Sequence, residues 1–314
     1  MELVRKWAES NADSLLEKTT KIFSVPHIEG VIGYRTSLGY AIVYGDPVTA
    51  PFNKIPLALE FEKFCQSQRL KIIYVVVSEE FAKLAVNNFS FSSIEFGLKF
   101  VLDPFKYKKF KTTLLRKKIR QSSNKGVLVS EYTGSIPEIE HAIKDIATEW
   151  SQSRKGIQLY LANPVLFTNN LGKRWFYAEQ NGKIIGFLLL SHIQAHQGWL
   201  ISSVMISKQS PSGVSEHLIT SALEILEKEQ CRFVLIGPVP ASELGEIIGL
   251  SRTFTSLARL IYKFIKKICR LDGHEIFWGK FEPTLTSSYL LFPKTRFRIS
   301  GVLSLLHAFN ITFR

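Results

Sequence analysis

Residues 174–237 read RWFYAEQ-NG-KIIGFLLLSHIQ-AHQG-WLISSVMIS-KQSPSG-VSEHLITSALEILEKEQ-CRFVLIG. Asn181-Gly182 between two β-rich runs is the strongest short turn signal in the chain and predicts a hairpin. Trp199 to Ser207 is a further strand. The loop Lys208 to Gly213 opens a helix over 214–230, whose apolar residues recur at helical spacing. Cys231 to Gly237 is short, apolar and bounded by turn signals, which predicts a buried strand.

This order of hairpin, strand, glycine-containing loop, helix and buried strand resembles the acyltransferase fold of the GNAT type. There the loop before the helix offers backbone N–H groups to the pyrophosphate of coenzyme A. The usual loop pattern is Arg/Gln-x-x-Gly-x-Gly/Ala. Here it reads Gln209-Ser-Pro-Ser-Gly213-Val, and a proline supplies no N–H. A coenzyme A site is not expected.

On the N-terminal side, residues 3–23 have helical periodicity ending before Pro26. Gly30–Tyr34 and Tyr40–Tyr44 form a predicted hairpin. Pro56–Gln68 and Glu79–Val86 read as helices, with a buried strand at Lys71–Val77 between them. A strand over Ser92–Pro104 leads into KYKKFKTTLLRKKIRQSSNK at 106–125. This stretch holds nine cations, with no acid between Asp103 and Glu131. Tyr107, Phe110, Leu114, Leu115 and Ile119 interleave with them, so one helix can bury an apolar edge and present Lys106, Lys108, Lys109, Lys117 and Lys118 outward. Such a surface attracts a nucleic-acid backbone or an anionic bilayer, and also suits a plain solvated face. A strand at 126–132 and a helix at 136–153 follow.

A second basic segment, RTFTSLARLIYKFIKKICRL at 252–271, puts Phe254, Leu257, Ile261, Phe264, Ile268 and Leu271 on one side. Arg259, Lys263, Lys266, Lys267 and Arg270 fall on the other. That is the pattern of a helix lying in a membrane surface, or of one packed on a core. The tail Phe297–Arg314 is apolar between terminal cations and either dips into an interface or covers the core.

Composition bounds the rest. The 314 residues are 46% hydrophobic with net charge +13, so a folded chain with an acidic partner is expected. The three cysteines are widely spaced and form no CxxC, which argues against a disulfide framework or zinc ribbon and fits a reducing compartment. The polar N-terminus lacks a signal peptide's apolar centre, and no apolar run reaches the ~18 residues of a membrane span. His192 and His196 share a spacing that would set both on one strand face, without an evident third metal ligand. No nucleophile elbow or Ser-His-Asp order is visible.

Several motifs, in order, resemble the C-terminal catalytic domain of the phosphatidylglycerol lysyltransferases. They are GDPVTAP at 45–51, followed by a helix with Phe61-Glu62-Lys63-Phe64-Cys65, and LLRKKIRQSSNKGV at 114–127. Then come Glu149-Trp150, PSG at 211–213, FVLIGP at 233–238, and FWGKFEP at 277–283 with Tyr289-Leu290.

The resemblance implies an α/β chain of tandem GNAT-type acyltransferase folds, with mixed sheets flanked by helices and a tunnel between them. The expected division is an N-terminal unit at 1–105, the basic connecting helix at 106–125, a second unit at 126–296 and the apolar tail at 297–314. It implies transfer of an aminoacyl group from aminoacyl-tRNA to an anionic phospholipid, without metal or other cofactor, at the cytoplasmic face of a membrane. The family's membrane-embedded flippase part is not matched here, so a stand-alone, peripheral member is expected. The open alternatives are an acyl-CoA-dependent N-acyltransferase and a non-catalytic binder of membrane or RNA.

The resemblance gives catalytic roles to Lys280 and Glu216, and substrate contacts to Arg116, Arg120, Asp46, Ser202, Gly213 and Glu282. Read alone, Lys280 among aromatics also suits a lysine stem laid on rings, and Glu216 a favourable charge at a helix start. Arg116 and Arg120, one turn apart, can face one anion. Asp46 in Gly-Asp-Pro is also an ordinary turn. Lys106 to Lys125 would hold the tRNA, and Arg259, Lys263, Lys266 and Lys267 the bilayer. The family's Asp-Leu-Met-Arg is matched by Ser202-Ser203-Val204-Met205, and its Arg before Tyr-Leu by Ser288. The carboxylate that would read a cationic aminoacyl side chain is thus replaced.

Overall fold

The computed structural model describes residues 6–8, 15, 19–106, 112–153, 166–167, 170–269, 272–294 and 299–308. Strand β1 (Lys21–Val25) pairs with β2 (Ile28–Ser37), which turns through Leu38-Gly39 into β3 (Tyr40–Tyr44). The helical reading of 3–23 therefore fails at its end. Ile22 and Phe23 serve a strand edge, and most of the remaining segment lies outside the described residues. After β4 (Val48–Thr49), helix α1 (Lys54–Ser67) crosses to β5 (Lys71–Val77), which lies parallel to β3. Helix α2 (Glu79–Asn88) begins at Ser78, whose Oγ accepts the Phe81 N–H at 3.1 Å, and Glu79 and Glu80 fill its first turn. Such a start is favoured by both the cap and the helix dipole.

Strand β6 (Phe91–Leu102) follows, and then helix α3 (Thr113–Ser123). The basic helix expected over 106–125 is thus confirmed only for its second half. Thr112 is extended, at φ −57° and ψ 151°, and caps the helix by accepting the Leu115 N–H at 3.1 Å. Lys108 and Lys109 lie outside the described residues.

Next come β7 (Leu128–Tyr132), α4 (Pro137–Ser153), β8 (Lys173–Gln180) and β9 (Lys183–Ile193). Asn181 and Gly182 both have positive φ, 52° and 72°, as the tight hairpin turn requires. Strand β10 (Gly198–Ile206), helix α5 (Val214–Lys228) and β11 (Val234–Pro240), parallel to β10, repeat the hairpin-and-crossover plan of β2, β3, α1 and β5. The repeat is the mixed α/β, GNAT-type arrangement expected. The chain ends with β12 (Ile247–Ile248), α6 (Arg252–Cys269), α7 (Asp272–Gly279), β13 (Thr284–Pro293) and α8 (Ile299–Ala308).

The described strands join into one sheet in the order β1-β2-β3-β5-β13-β6-β11-β10-β9-β8-β7. Strand β13, absent from the sequence reading, inserts antiparallel between β5 and β6, and β6 in turn pairs with β11. One core packs α1 and α2 on the first strands through Phe61, Tyr74 and Phe81. Another packs α5 and α7 on the later strands through Phe176, Leu188, Leu218, Trp278 and Phe281. Helix α8 covers β2 and β3, with Ser304 Oγ donating to Ser37 O at 3.0 Å. The described part of the apolar tail is thus a cover for the sheet. No described helix is long and apolar enough to cross a membrane.

Candidate active site

The first turn of α5 is where the sequence-predicted residues converge. Gly213, the residue before α5, has φ +96°, and a Cβ built there would stand 2.0 Å from the Lys118 carbonyl oxygen. Only glycine lets α3 lie this close. The Lys118 ammonium donates to Ser212 Oγ at 2.8 Å, and the Ser122 hydroxyl lies 3.2 Å from Nδ1 of His217. Helix α3 therefore seats its backbone against the turn that receives a diphosphate in coenzyme A-dependent folds. The Lys118 carbonyl oxygen thus stands directly against Gly213.

Glu216 follows one turn into α5 and is buried. Its Oε1 lies 2.5 Å from the Lys280 Nζ, with side chains 7% and 14% exposed respectively. Lys280 comes from the turn after α7, and its ammonium also stands 4.3 Å from the Phe277 ring centroid. Thr112, while capping α3, donates its hydroxyl to the Lys280 carbonyl at 3.2 Å. One threonine thereby fixes the basic helix to the residue that carries the buried cation. Arg116, Lys117 and Arg120 on α3 are exposed, and Arg116 and Arg120 share a face as expected. The assembled charges are a buried carboxylate–ammonium pair, a helix N-terminus and a solvent-facing row of cations.

The two parallel strands beside this site part early. Strands β10 and β11 pair at Trp199↔Val234 and Leu200↔Leu235 and not beyond. Past that point β11 pairs with β6, its register slipping at Ile236, while β10 keeps β9 and bulges at Ser202. Ser202 sits at the opening, its hydroxyl 2.7 Å from that of Ser191.

Other expected residues lie apart from the pair. Asp46 accepts from the Ser78 N–H at 2.8 Å, the Ser78 hydroxyl at 2.7 Å and Lys54 at 2.8 Å, so it braces the start of α2. Glu282 is exposed in the turn after Lys280, with φ 50°. Strand β9 ends at Ile193, so His192 and His196 do not share a strand. His192 meets Trp199, and His196 stacks on Phe233 with centroids 4.3 Å apart. Among the described residues no group of three or more His, Cys, Asp or Glu stands ready for a metal.

Helix α6 packs on the core through Ala258 and Tyr262 and leaves much of its apolar face outward. Arg259 donates to the carbonyls of Leu244 and Gly245, Lys266 donates to that of Ser242 at 2.9 Å, and Ala258 is buried. The Tyr262 hydroxyl lies 2.8 Å from Ala241 O. Phe254, Leu257, Leu260 and Phe264 point outward, 41%, 42%, 66% and 66% exposed, with Lys263 and Lys267 exposed beside them. Arg259, which is exposed, and Lys266, half-buried, thus also tie the helix to the loop before it.

His217 lies half-buried between α3 and α5. Burial lowers its pKa, only partly offset by Glu224. The Ser122–His217 contact carried no sequence signal, because its residues are 95 apart.

A family model described as phosphatidylglycerol lysyltransferase, C-terminal, matches residues 7–292. A crystal structure of the C-terminal domain of an assigned lysylphosphatidylglycerol synthetase from Agrobacterium fabrum superposes with a TM-score of 0.78. The two are 15% identical, covering 99% of this chain and 95% of that one. The L-PGS structure from Bacillus licheniformis gives a TM-score of 0.74 at 15% identity, covering 96% and 91%. FemX gives 0.59 at 8% identity, covering 98% and 97%. An uncharacterised protein of Corynebacterium glutamicum is 28% identical over 134 residues, which are 40% of this chain and 16% of that protein.

Proposed function

From a chain that belongs to the phosphatidylglycerol lysyltransferase C-terminal family, we propose an enzyme that moves an aminoacyl group from aminoacyl-tRNA to a hydroxyl of an anionic phospholipid such as phosphatidylglycerol, at a membrane surface. The observation that carries this reading is the buried Lys280–Glu216 pair held against the basic helix α3.

The chemistry exchanges one ester for another. The lipid hydroxyl oxygen attacks the aminoacyl carbonyl carbon, the bond to the ribose oxygen breaks, and the hydroxyl proton passes to that ribose oxygen. Glu216 accepts and returns the proton, while the Lys280 ammonium stabilises the oxyanion that develops on the carbonyl. Burial makes both effects larger than they would be in water. The donor ester is already activated, so no further cofactor enters the balance. Arg116, Lys117 and Arg120 bind the tRNA phosphates. The outward apolar face of α6, with Lys263 and Lys267, rests on the anionic bilayer. Ser202 in place of a carboxylate favours an aminoacyl side chain without positive charge.

The Lys118 carbonyl at Gly213 weighs against the acyl-CoA alternative. The test is incubation of the protein with a set of charged tRNAs and phosphatidylglycerol vesicles, followed by mass spectrometry of the lipids. Aminoacyl-phosphatidylglycerol is expected for at least one uncharged amino acid. No product with any of the twenty, alongside intact tRNA and vesicle binding, selects a non-catalytic binder instead.

A further inference from the structure

Helix α8 lies on its own protein by its small and polar side. Ser304 is buried and donates to the Ser37 carbonyl at 3.0 Å. The Ser300 hydroxyl lies 3.4 Å from that of Tyr40, and Nδ1 of His307 lies 3.0 Å from the Ser37 hydroxyl. A Cβ on Gly301 would stand 3.5 Å from the Tyr40 ring, so this turn of the helix rests on that ring. Leu305 packs inward beside it. At 3.6 residues per turn, Val302, Leu303 and Leu306 then fall on the opposite side, and Leu303 is 50% exposed. A helix that served only to cover a core would turn its leucines the other way.

Helix α6 shares that side of the sheet. Its Ala258 and Tyr262 pack on the same apolar cluster as Leu305, over Tyr40, Ile73 and Ile94. Helix α8 contacts β2 and β3, while the Tyr262 hydroxyl lies 2.9 Å from the Phe96 carbonyl oxygen of β6. Three strand spacings separate β3 from β6, about 14 Å, little more than one helix diameter. The outward residues of α6 and α8 therefore belong to one surface. Ile94 and Phe96 of β6 face this cluster, and Leu98, Phe100 and Leu102 face the core beneath α5 and α7. Every second residue of a strand lies on one face, so both sets share a side of the sheet. It is also the side of the Lys280–Glu216 pair, which α5 and the turn after α7 carry.

Charge identifies the partner. From Arg252 to Leu271, and again from Pro283 to Arg314, the sequence holds cations and no acid. Lys263, Lys267 and Lys294 are exposed, and Arg296 and Arg298 stand just ahead of α8 in the sequence. A nucleic acid would meet the cations and leave the leucines in water, and a neutral apolar groove would do the reverse. An apolar strip edged by cations matches acyl chains beneath anionic headgroups. We propose that α8 is a second bilayer contact. With α6 it forms a two-helix platform that seats the chain on an anionic membrane with the α5 and α7 side of the sheet toward the lipid; resting on the transfer reading above, that lipid is the acceptor. Leu303 enters the acyl boundary while Ser300, Gly301 and Ser304 keep α8 on the protein.

The experiment is co-sedimentation of the full chain with phosphatidylglycerol vesicles and, in a parallel arm, phosphatidylcholine vesicles. Transfer from charged tRNAs to soluble dihexanoyl phosphatidylglycerol is measured separately on the native protein. The native protein should bind the anionic vesicles about tenfold or more tighter than the neutral ones, with the difference shrinking in high salt. Leu303→Asp should keep the native melting temperature and weaken binding to the anionic vesicles about tenfold or more. Leu303→Ser decides the matter if Leu303→Asp does not fold. Leu128→Asp is the control for orientation. Leu128 is 69% exposed and adjoins Val129, which packs beneath α5, so it points to the opposite face of the sheet. Its variant should bind vesicles as the native protein does. Unchanged vesicle binding in the Leu303 variants overturns the role of α8, and an equal loss in Leu128→Asp overturns the orientation. A native protein that binds neither vesicle, or both equally, overturns the anionic bilayer. A native dimer that Leu303→Asp dissociates, without vesicle binding, assigns the surface to a second copy of this chain instead. If vesicle binding follows the expected pattern and no soluble lipid is aminoacylated, the transfer reading fails while the platform stands.

Discussion

Removing one member of the Lys280–Glu216 pair leaves the other charge stranded. At 2.5 Å, and with side chains 14% and 7% exposed, the pair is close to fully desolvated. Loss of one partner from a buried pair costs about 3–5 kcal/mol, and the residual exposure of Lys280 brings the expectation to about 2–4 kcal/mol for Glu216→Gln or Lys280→Met. The double variant leaves no stranded charge. It should lie within about 1 kcal/mol of the native protein, because an apolar replacement of a buried pair is often neutral. The assay is urea unfolding of all four proteins at neutral pH, read as a double-mutant cycle, with lipid aminoacylation measured on each. Transfer should fall about a hundredfold in all three variants, the usual cost of removing an oxyanion partner. Single variants that lose less than about 1 kcal/mol, or a double variant whose loss equals the sum of the singles, would refute the coupling. A double variant of native stability and native transfer rate would refute the catalytic assignment and leave the pair a structural bolt.

Three further outcomes are expected. Gly213→Ala combines a φ of +96° with a Cβ 2.0 Å from the Lys118 carbonyl, so it should cost at least about 1–3 kcal/mol in urea unfolding and displace α3 from α5. Burial holds the His217 pKa below 6.5, so the unfolded chain binds the extra proton first and His217 subtracts stability as pH falls from 6.5 through its lower folded value. His217→Gln should reduce the loss of stability across that window, measured by urea midpoints between pH 5 and 7.5. Leu260→Asp on the outward face of α6 should leave the melting temperature unchanged and weaken binding to phosphatidylglycerol vesicles by about tenfold or more, since the leucine is 66% exposed in the free protein and only a bilayer would bury it.

The second crossover unit was legible because its signals are local. Asn-Gly can adopt the positive φ values of its turn, and 214–228 repeats its apolar residues at helical spacing. The convergence of Lys280 and Glu216 was anticipated through motifs, while their direct ion pair was not, because 64 residues separate them. Strand β13 was missed since TLTSSYLLFP has no clean alternation: it is flanked on both sides by β5 and β6, and its pattern answers to two neighbours. The face of α6 was legible and its direction was not. Periodicity gives the phase of a helix, but the carbonyls of Ser242, Leu244 and Gly245, which hold Lys266 and Arg259, belong to a loop with no sequence period.

The same seam explains why charge can be buried in this sheet. A strand flanked on both sides by hydrogen-bonded neighbours normally presents apolar side chains to the layers above and below. Strand β6 meets that condition with β13 and β11, and its Phe100 and Leu102 obey it on the side of α5. On its other side the rule fails at Lys99, beside the point where β11 leaves β10. Strand β10 breaks it at the same level with Ser202, paired to Ser191, and β13 with Ser288. A chain selected only for stability would fill that row with leucine or valine, as the adjoining row of Leu200, Leu235 and Val101 does. Polar groups kept one step beyond an apolar row, beside an interrupted ladder, mark where this sheet gives up packing at the parting of β10 and β11.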